Sequence, residues 1–126
     1  MGKKVLIVDD EAEFRSLLVW LLQQEGYDVS EADSGDAALE LVKSEPPDLV
    51  ICDIVMMGIN GYMVREFLRE DPRTADIPII LMTGKAVDSG AWETDPKTKY
   101  FNKPFPPSAM VSVVQDLIGG SKGERE

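Results

Sequence analysis

This sequence predicts an α/β fold: a doubly wound, five-stranded parallel sheet in the order 2-1-3-4-5, with helices on both faces. Two observations carry that expectation. Short apolar runs alternate with segments of helical periodicity along the whole chain. Four of the runs pass directly into polar residues suited to phosphate or metal chemistry. Val5-Leu6-Ile7-Val8 leads into Asp9-Asp10-Glu11, Leu49-Val50-Ile51-Cys52 into Asp53, Ile79-Ile80-Leu81-Met82 into Thr83, and Tyr100-Phe101-Asn102 into Lys103-Pro104. Uninterrupted apolar runs suit strands covered on both sides, and in open parallel sheets the carboxyl ends of the strands share the edge where ligands bind. With short right-handed crossovers the crevice opens between the first and third strands, where Asp9-Asp10 and Asp53 end.

The elements follow in order. After the first run, Phe14, Leu17, Leu18, Leu21 and Leu22 recur at helical spacing, and Gly26 stands where a helix C-terminal cap belongs. Tyr27 to Ala32 reads as a second, weaker strand. Ser34 caps a helix carrying Ala37, Ala38, Leu41 and Val42, which Pro46-Pro47 ends. The Leu49 run is the third strand. Asn60 caps a helix with Met63, Val64, Phe67 and Leu68, closed by Asp71-Pro72. The Ile79 run is the fourth strand, and the fifth runs from Tyr100 to Asn102. Between them, Gly84, Gly90 and Pro96 leave room for a short helix around Lys85 to Trp92. Pro106-Pro107-Ser108 opens a last helix whose Val111, Val114, Leu117 and Ile118 face the core, and Gly119-Gly120 ends it.

At 126 residues the chain fits one domain, spanning 1–120, with Ser121 to Glu126 as a disordered tail or the start of a linker. A net charge of −10 argues against direct nucleic-acid binding, which needs a basic footprint. It suits either a solvated acidic surface or a domain that concentrates divalent cations. Cys52 is the single cysteine, so no internal disulfide forms, and a small buried filler is its expected role. There is no histidine, which removes histidine triads and histidine-ligated zinc. Lys3-Lys4 precede too short an apolar stretch for a secretory signal or membrane span, so a cytoplasmic location is expected. Trp20, Trp92, Met56, Met57 and Met63 are expected to pack rather than to bind.

Clustered carboxylates at a partly buried edge repel one another unless a cation neutralises them. A hard divalent ion such as Mg²⁺ does this with one or two carboxylates, waters and a phosphate. Asp10 and Asp53 are the direct candidates, with Asp9 acting through a bound water. Glu11 is expected as the first residue of the following helix, where an acid favours the dipole. A carboxylate beside such an ion is a nucleophile toward phosphorus, Lys103 offers a positive charge for phosphoryl oxygens, and Thr83 offers a hydroxyl donor. Taken singly, Thr83 is equally a strand-end residue and Tyr100 equally edge packing.

From Lys3 to Ile118 the chain resembles the receiver domain of two-component response regulators, a flavodoxin-like fold. The motifs that carry the resemblance are Val8-Asp9-Asp10, Asp53 with Met56 and Gly61 downstream, Ile77-Pro78-Ile79-Ile80-Leu81-Met82-Thr83-Gly84, and Lys103-Pro104-Phe105. The resemblance implies that Asp53 is the phosphoacceptor and that Asp9, Asp10, Asp53 and the Val55 backbone carbonyl hold Mg²⁺. It further implies that Thr83 is the switch hydroxyl, Lys103 the phosphate-contacting lysine, Tyr100 the switch aromatic and Pro104 a cis proline. The implied function is a signalling switch. A sensor histidine kinase or histidine phosphotransfer protein donates to Asp53, Thr83 is drawn inward, and Tyr100 rotates from exposed to buried. The surface formed by the fourth helix, fifth strand and last helix then changes. The implied protein is no turnover enzyme; it promotes its own phosphotransfer and a slow self-dephosphorylation. It works either as a chemotaxis-type single receiver or phosphorelay shuttle, or with a downstream partner or output domain. Homodimerisation on phosphorylation is common among relatives.

Departures from the family pattern are expected to matter. Met57 stands where a proline is usual, and Thr94-Asp95-Pro96-Lys97 replaces a small Gly-Ala pair. Val55 and Lys85 offer no group to orient a water toward the phosphoryl, which is the basis for a slow loss. Three rival classes remain: an Mg²⁺-dependent phosphohydrolase, an FMN carrier of flavodoxin type, and a degenerate receiver scaffold. Val55, two residues after Asp53, is no acid-base group for the first, and Asp9-Asp10-Glu11 would repel a phosphate in the second.

Overall fold

The computed structural model describes residues 2–84 and 95–120. Strands β1 (Lys4–Val8), β2 (Asp28–Ala32), β3 (Leu49–Asp53), β4 (Ile79–Thr83) and β5 (Thr98–Asn102) form one parallel sheet in the order β2-β1-β3-β4-β5, as expected. The helices are α1 (Ala12–Gln24), α2 (Gly35–Ser44), α3 (Gly61–Glu70) and α4 (Pro107–Ile118), the last being the expected final helix. The helix expected around Lys85 to Trp92 and the tail 121–126 lie outside the described residues.

Alternation along the strands sends side chains to two cores. Val5, Ile7, Leu49, Ile51, Ile80 and Met82 pack with α1 and α4, whereas Leu6, Val8, Val50, Cys52, Ile79 and Leu81 pack with α2 and α3. Central strands β3 and β4 are buried at every residue, which is why they read as unbroken apolar runs. Cys52 is a buried filler in the second of these cores.

Each helix buries one i, i+4 apolar pair: Leu18 and Leu22, Ala38 and Val42, Val64 and Leu68, Met110 and Val114. Phe14, Leu21, Ala37, Leu41, Val111, Leu117 and Ile118 are partly buried against the same cores, as expected, but other residues read as packing are not. Leu17 and Trp20 are both 58% exposed, Met63 and Phe67 about half exposed, and Met57 88% exposed, so none of these is the packing residue expected. Met110, not anticipated, is fully buried. Trp92 lies outside the described residues.

The expected caps are present. Ser34 Oγ accepts from the Ala37 N–H at 3.1 Å and Asn60 Oδ1 from the Met63 N–H at 2.9 Å, each contributing about 1 kcal/mol. Gly26, at φ 92°, ends α1: its N–H reaches the Gln23 carbonyl and the Tyr27 N–H the Leu22 carbonyl, a Schellman pattern. Tyr27 Oη then donates to the Gly119 carbonyl at 2.7 Å, fastening the end of α4 to the start of β2. At Gly35 an added Cβ would lie 2.7 Å from the Ile59 carbonyl oxygen and 2.8 Å from Ile59 Cβ. Glycine there lets α2 press directly on the loop that follows β3.

Strand β5 begins at Thr98 rather than at the expected Tyr100, and a polar network explains why. Arg65 of α3, only 6% exposed, donates through Nε to Thr98 Oγ1 at 2.8 Å and through Nη2 to Asp95 Oδ2 at 2.6 Å. Arg69 Nε reaches the same Asp95 oxygen at 3.1 Å, and the Lys97 N–H donates to Asp95 Oδ1 at 2.9 Å. Burial raises the Asp95 pKa, but hydrogen bonds from Thr98, Lys97, Arg65 and Arg69 outweigh it and hold the carboxyl well below the usual carboxylate range. The start of β5 is thereby locked to α3 by side chains rather than by apolar packing.

Candidate functional site

Backbone hydrogen bonds at the carboxyl edge set the site. The Asp9 N–H donates to the Ala32 carbonyl at 3.1 Å, the Ile54 N–H to Met82 at 2.7 Å, and the Lys103 N–H to Thr83 at 2.7 Å, so neighbouring strand ends stay paired past their last residues. After Asp53 the chain turns back through a Gly61 N–H to Ile54 carbonyl bond of 3.0 Å. Gly61 packs so closely that an added Cβ would lie 2.6 Å from the Asp53 carbonyl oxygen.

These constraints bring together the side chains expected to meet. One carboxylate oxygen from each of Asp9, Asp10 and Asp53 lies within 4.8 Å of the others. Asp9 and Asp53 are buried, and Asp10 is exposed. Lys103 faces them: its Nζ is 3.1 Å from Asp9 Oδ2, 3.4 Å from Glu11 Oε1 and 3.5 Å from Asp53 Oδ1. The Lys103-Pro104 bond is cis, as expected. Asp9 Oδ1 also accepts the Glu11 N–H at 2.9 Å. Burial pushes the Asp53 carboxyl up to about 6; Lys103 opposes this, and Asp9 and then Asp10 add to it. At neutral pH Asp53 remains mostly ionised. Burial tends to lower the Lys103 pKa, but the carboxylates of Asp9, Asp53 and Glu11 outweigh it and raise the value.

Thr83 is buried at the end of β4, in register one residue beyond the Met82 that pairs with Asp53. Tyr100 lies opposite Leu81, short of the acidic edge, half-buried against the core of α2 and α3. The Val55 side chain, two residues past Asp53, is exposed.

Three neighbours of the site escaped the sequence reading. Glu11 is the N-cap of α1, not its first helical residue, because its extended ψ of 106° lies outside the helix, and its carboxylate faces Lys103. Arg15 Nη1 donates to the Asp9 carbonyl at 2.7 Å, and its Nε to Glu31 Oε1 at 2.8 Å. The Phe14 ring lies under Lys103, with Nζ 4.2 Å from the ring centroid. In sequence they stand only at the start of a helix, Glu11 as its cap and Phe14 and Arg15 in its first turn, and nothing local signals the lysine arriving from the far end of the chain.

The donor set is entirely hard oxygen, with two buried carboxylates, one exposed and a lysine alongside, which fits a hard divalent cation such as Mg²⁺. A parallel sheet of order 2-1-3-4-5 with aspartates at the ends of β1 and β3 and a lysine after β5 is the arrangement of a signal-receiver domain. Residues 5–115 match the family described as response regulator receiver domain, and the chain belongs to that family of two-component signalling domains. Among curated relatives, the phosphate regulon transcriptional regulatory protein PhoB of Pseudomonas aeruginosa is 34% identical, over 94% of this chain and 52% of that protein. The chain spans about half the length of the curated relatives it matches. The crystal structure of chemotaxis response regulator CheY4 of Vibrio cholerae has a TM-score of 0.84 at 26% identity, covering 93% of this chain and 99% of that one. The receiver domain of sensor histidine kinase PA1611 from Pseudomonas aeruginosa, with a magnesium ion coordinated in its active site cleft, shares the fold with a TM-score of 0.83 at 23% identity, covering 94% of this chain and 99% of that one. No helix among the described residues is long and apolar enough to cross a membrane.

Proposed function

We propose that this domain is a phosphorylation-activated signalling switch whose phosphoacceptor is Asp53. The observation that carries the reading is the convergence of Asp53 with Asp9, Asp10 and the Lys103 ammonium at one strand edge. An oxygen of the ionised Asp53 attacks the phosphorus of a phosphohistidine on a sensor histidine kinase or a histidine phosphotransfer protein. The new O–P bond forms as the P–N bond breaks, and the electron pair leaves with the imidazole nitrogen. Lys103 turns from its carboxylates toward the phosphoryl oxygens, and the Thr83 hydroxyl donates to another. Asp9, Asp10, Asp53 and the Val55 carbonyl would hold Mg²⁺, which supplies neutralisation of charge on the transferring group.

No group for activating water stands two residues after Asp53, since Val55 is apolar and exposed. That favours a phosphoacceptor with slow self-dephosphorylation over a turnover enzyme. Movement of Thr83 passes to β5 through its carbonyl bond to the Lys103 N–H, and so to Tyr100. Strand β5 and helix α4 would present the altered surface to a downstream partner, an output domain or a second copy, in the cytoplasm. Length-doubled relatives such as PhoB favour an output domain in the whole protein.

Incubation with acetyl phosphate and Mg²⁺ tests this. The expected product is one acyl phosphate per chain, absent in Asp53→Asn and greatly reduced by chelator. Continuous phosphate release would establish a hydrolase instead, and undiminished labelling of Asp53→Asn would overturn the assignment.

A further inference from the structure

The Phe14 ring is placed where an ordinary first-turn helix residue would simply pack. It comes from α1, and the Lys103 ammonium stands 4.2 Å from its centroid, within the range of a cation–π contact. The ring is itself held. Phe105 meets it at a centroid distance of 5.9 Å and an interplanar angle of 81°, and Phe101 meets Phe105 at 5.0 Å and 82°. Both contacts are edge-to-face, a favoured aromatic geometry. Phe101 and Phe105 flank Lys103 in sequence, so the lysine's own chain segment builds the support under the ring. The same ammonium has the carboxylates of Asp9, Glu11 and Asp53 within 3.5 Å.

We infer that Phe14 is a positioning residue for phosphoryl transfer, holding the Lys103 ammonium at the acidic edge through the face of its ring. The inference rests on the switch reading above, because it assigns Lys103 the phosphoryl oxygens. The physical distinction is between two kinds of partner. A carboxylate binds the ammonium at one point and competes with the incoming phosphoryl group. A ring face attracts the cation broadly and offers no competing lone pair, so Lys103 can shift from Asp9 and Glu11 toward Asp53 without leaving its support. Leucine at position 14 fills similar space but has no π face. Without the ring, Lys103 is held by carboxylates alone and samples more positions away from Asp53.

The test uses the whole chain in four forms: the parent, Phe14→Leu, Phe14→Tyr, and pentafluorophenylalanine at position 14, which keeps the shape while reversing the charge of the ring face. The first readout is the NMR shift of the Lys103 ε-methylene group, moved upfield by a ring lying beneath it. The second is the initial rate of acyl phosphate formation from acetyl phosphate with Mg²⁺, with urea unfolding as the check on folding. The upfield shift is expected in the parent and in Phe14→Tyr and lost in Phe14→Leu. Labelling should slow about threefold to tenfold in Phe14→Leu and in the fluorinated protein, the span expected for loss of a partly desolvated cation–π contact, and recover in Phe14→Tyr. A parent spectrum without the upfield shift overturns the inference whether or not the variants fold. So does a rate in Phe14→Leu and the fluorinated protein reduced less than threefold, while the parent still labels on Asp53. A parent that does not label at all defeats the switch reading and the positioning role built on it, and the shift then reports only the resting contact.

Discussion

Lys103 Nζ stands 3.1 Å from Asp9 Oδ2 and 3.5 Å from Asp53 Oδ1, so the lysine leans toward the wholly buried aspartate rather than toward the residue proposed to react. In this state the ammonium is a structural counter-ion for the acidic edge. Lys103→Met removes it and leaves buried carboxylates without compensation. The expected destabilisation in chelator is roughly 3 kcal/mol, because stripping the partner from a buried pair exposes the full desolvation cost. Millimolar Mg²⁺ should restore much of it, since an ion bound only by the folded state stabilises by mass action. Urea unfolding with and without Mg²⁺ checks this; equal midpoints for variant and parent in chelator would refute it.

Asp53 gives a pH dependence of defined sign. Its folded carboxyl titrates near 6, above the model value of 3.8, so between those values the folded state binds more protons than the unfolded one. The Asp53 contribution therefore makes the fold more stable as pH falls from neutral toward about 4 and less stable as it rises. Asp53→Asn removes that penalty. Without divalent ions it should exceed the parent at neutral pH by on the order of 2 kcal/mol, with the difference closing below about pH 4. Paired urea titrations across this range decide it, and a difference that stays constant with pH would count against the assignment.

Asp95 should behave in the opposite way. Hydrogen bonds from Thr98, the Lys97 N–H, Arg65 and Arg69 outweigh burial and keep its carboxyl well below the ordinary range, so its contribution is complete above the unfolded value and is lost only in stronger acid. Asp95→Ala should cost about 2–4 kcal/mol by leaving Arg65 buried with weaker partners, and the cost should be the same at pH 7 and pH 5. Loss of the effect at pH 5 would show that the network is looser than its distances indicate.

Gly61→Ala tests the wall behind Asp53. The added methyl would meet the Asp53 carbonyl oxygen at 2.6 Å and Ile54 Cα at 2.8 Å, both backbone atoms, so the loop must shift. A cost of about 1–3 kcal/mol is expected, with a slower labelling rate in protein that is still folded. Unchanged labelling would separate the loop position from the chemistry.

The central strands and the acidic edge were legible in the sequence because burial on both faces writes itself as unbroken apolar runs, and each run ended at its chemical residue. Edge strand β5 was only half legible. Its first buried residue is Thr98, held by Arg65 and Asp95 through side-chain hydrogen bonds that no periodicity records. The helices were read with the right period: Phe14, Leu21, Leu41, Val111, Leu117 and Ile118 flank the buried columns against the cores, and only outlying Leu17, Met63 and Phe67 are left largely in solvent. Glu11, Phe14 and Arg15 were invisible as site residues for another reason: their roles exist only once Lys103, which is 94 positions from Asp9, has folded back onto α1.

Gly35 carries a mechanical consequence. With no side chain between the first turn of α2 and Ile59, the contact has no slack to take up motion. Any swelling of the loop beyond β3 levers the front of that helix outward, and a spectroscopic label on the exposed neighbour Asp36 would feel it from a flank that β5 does not touch.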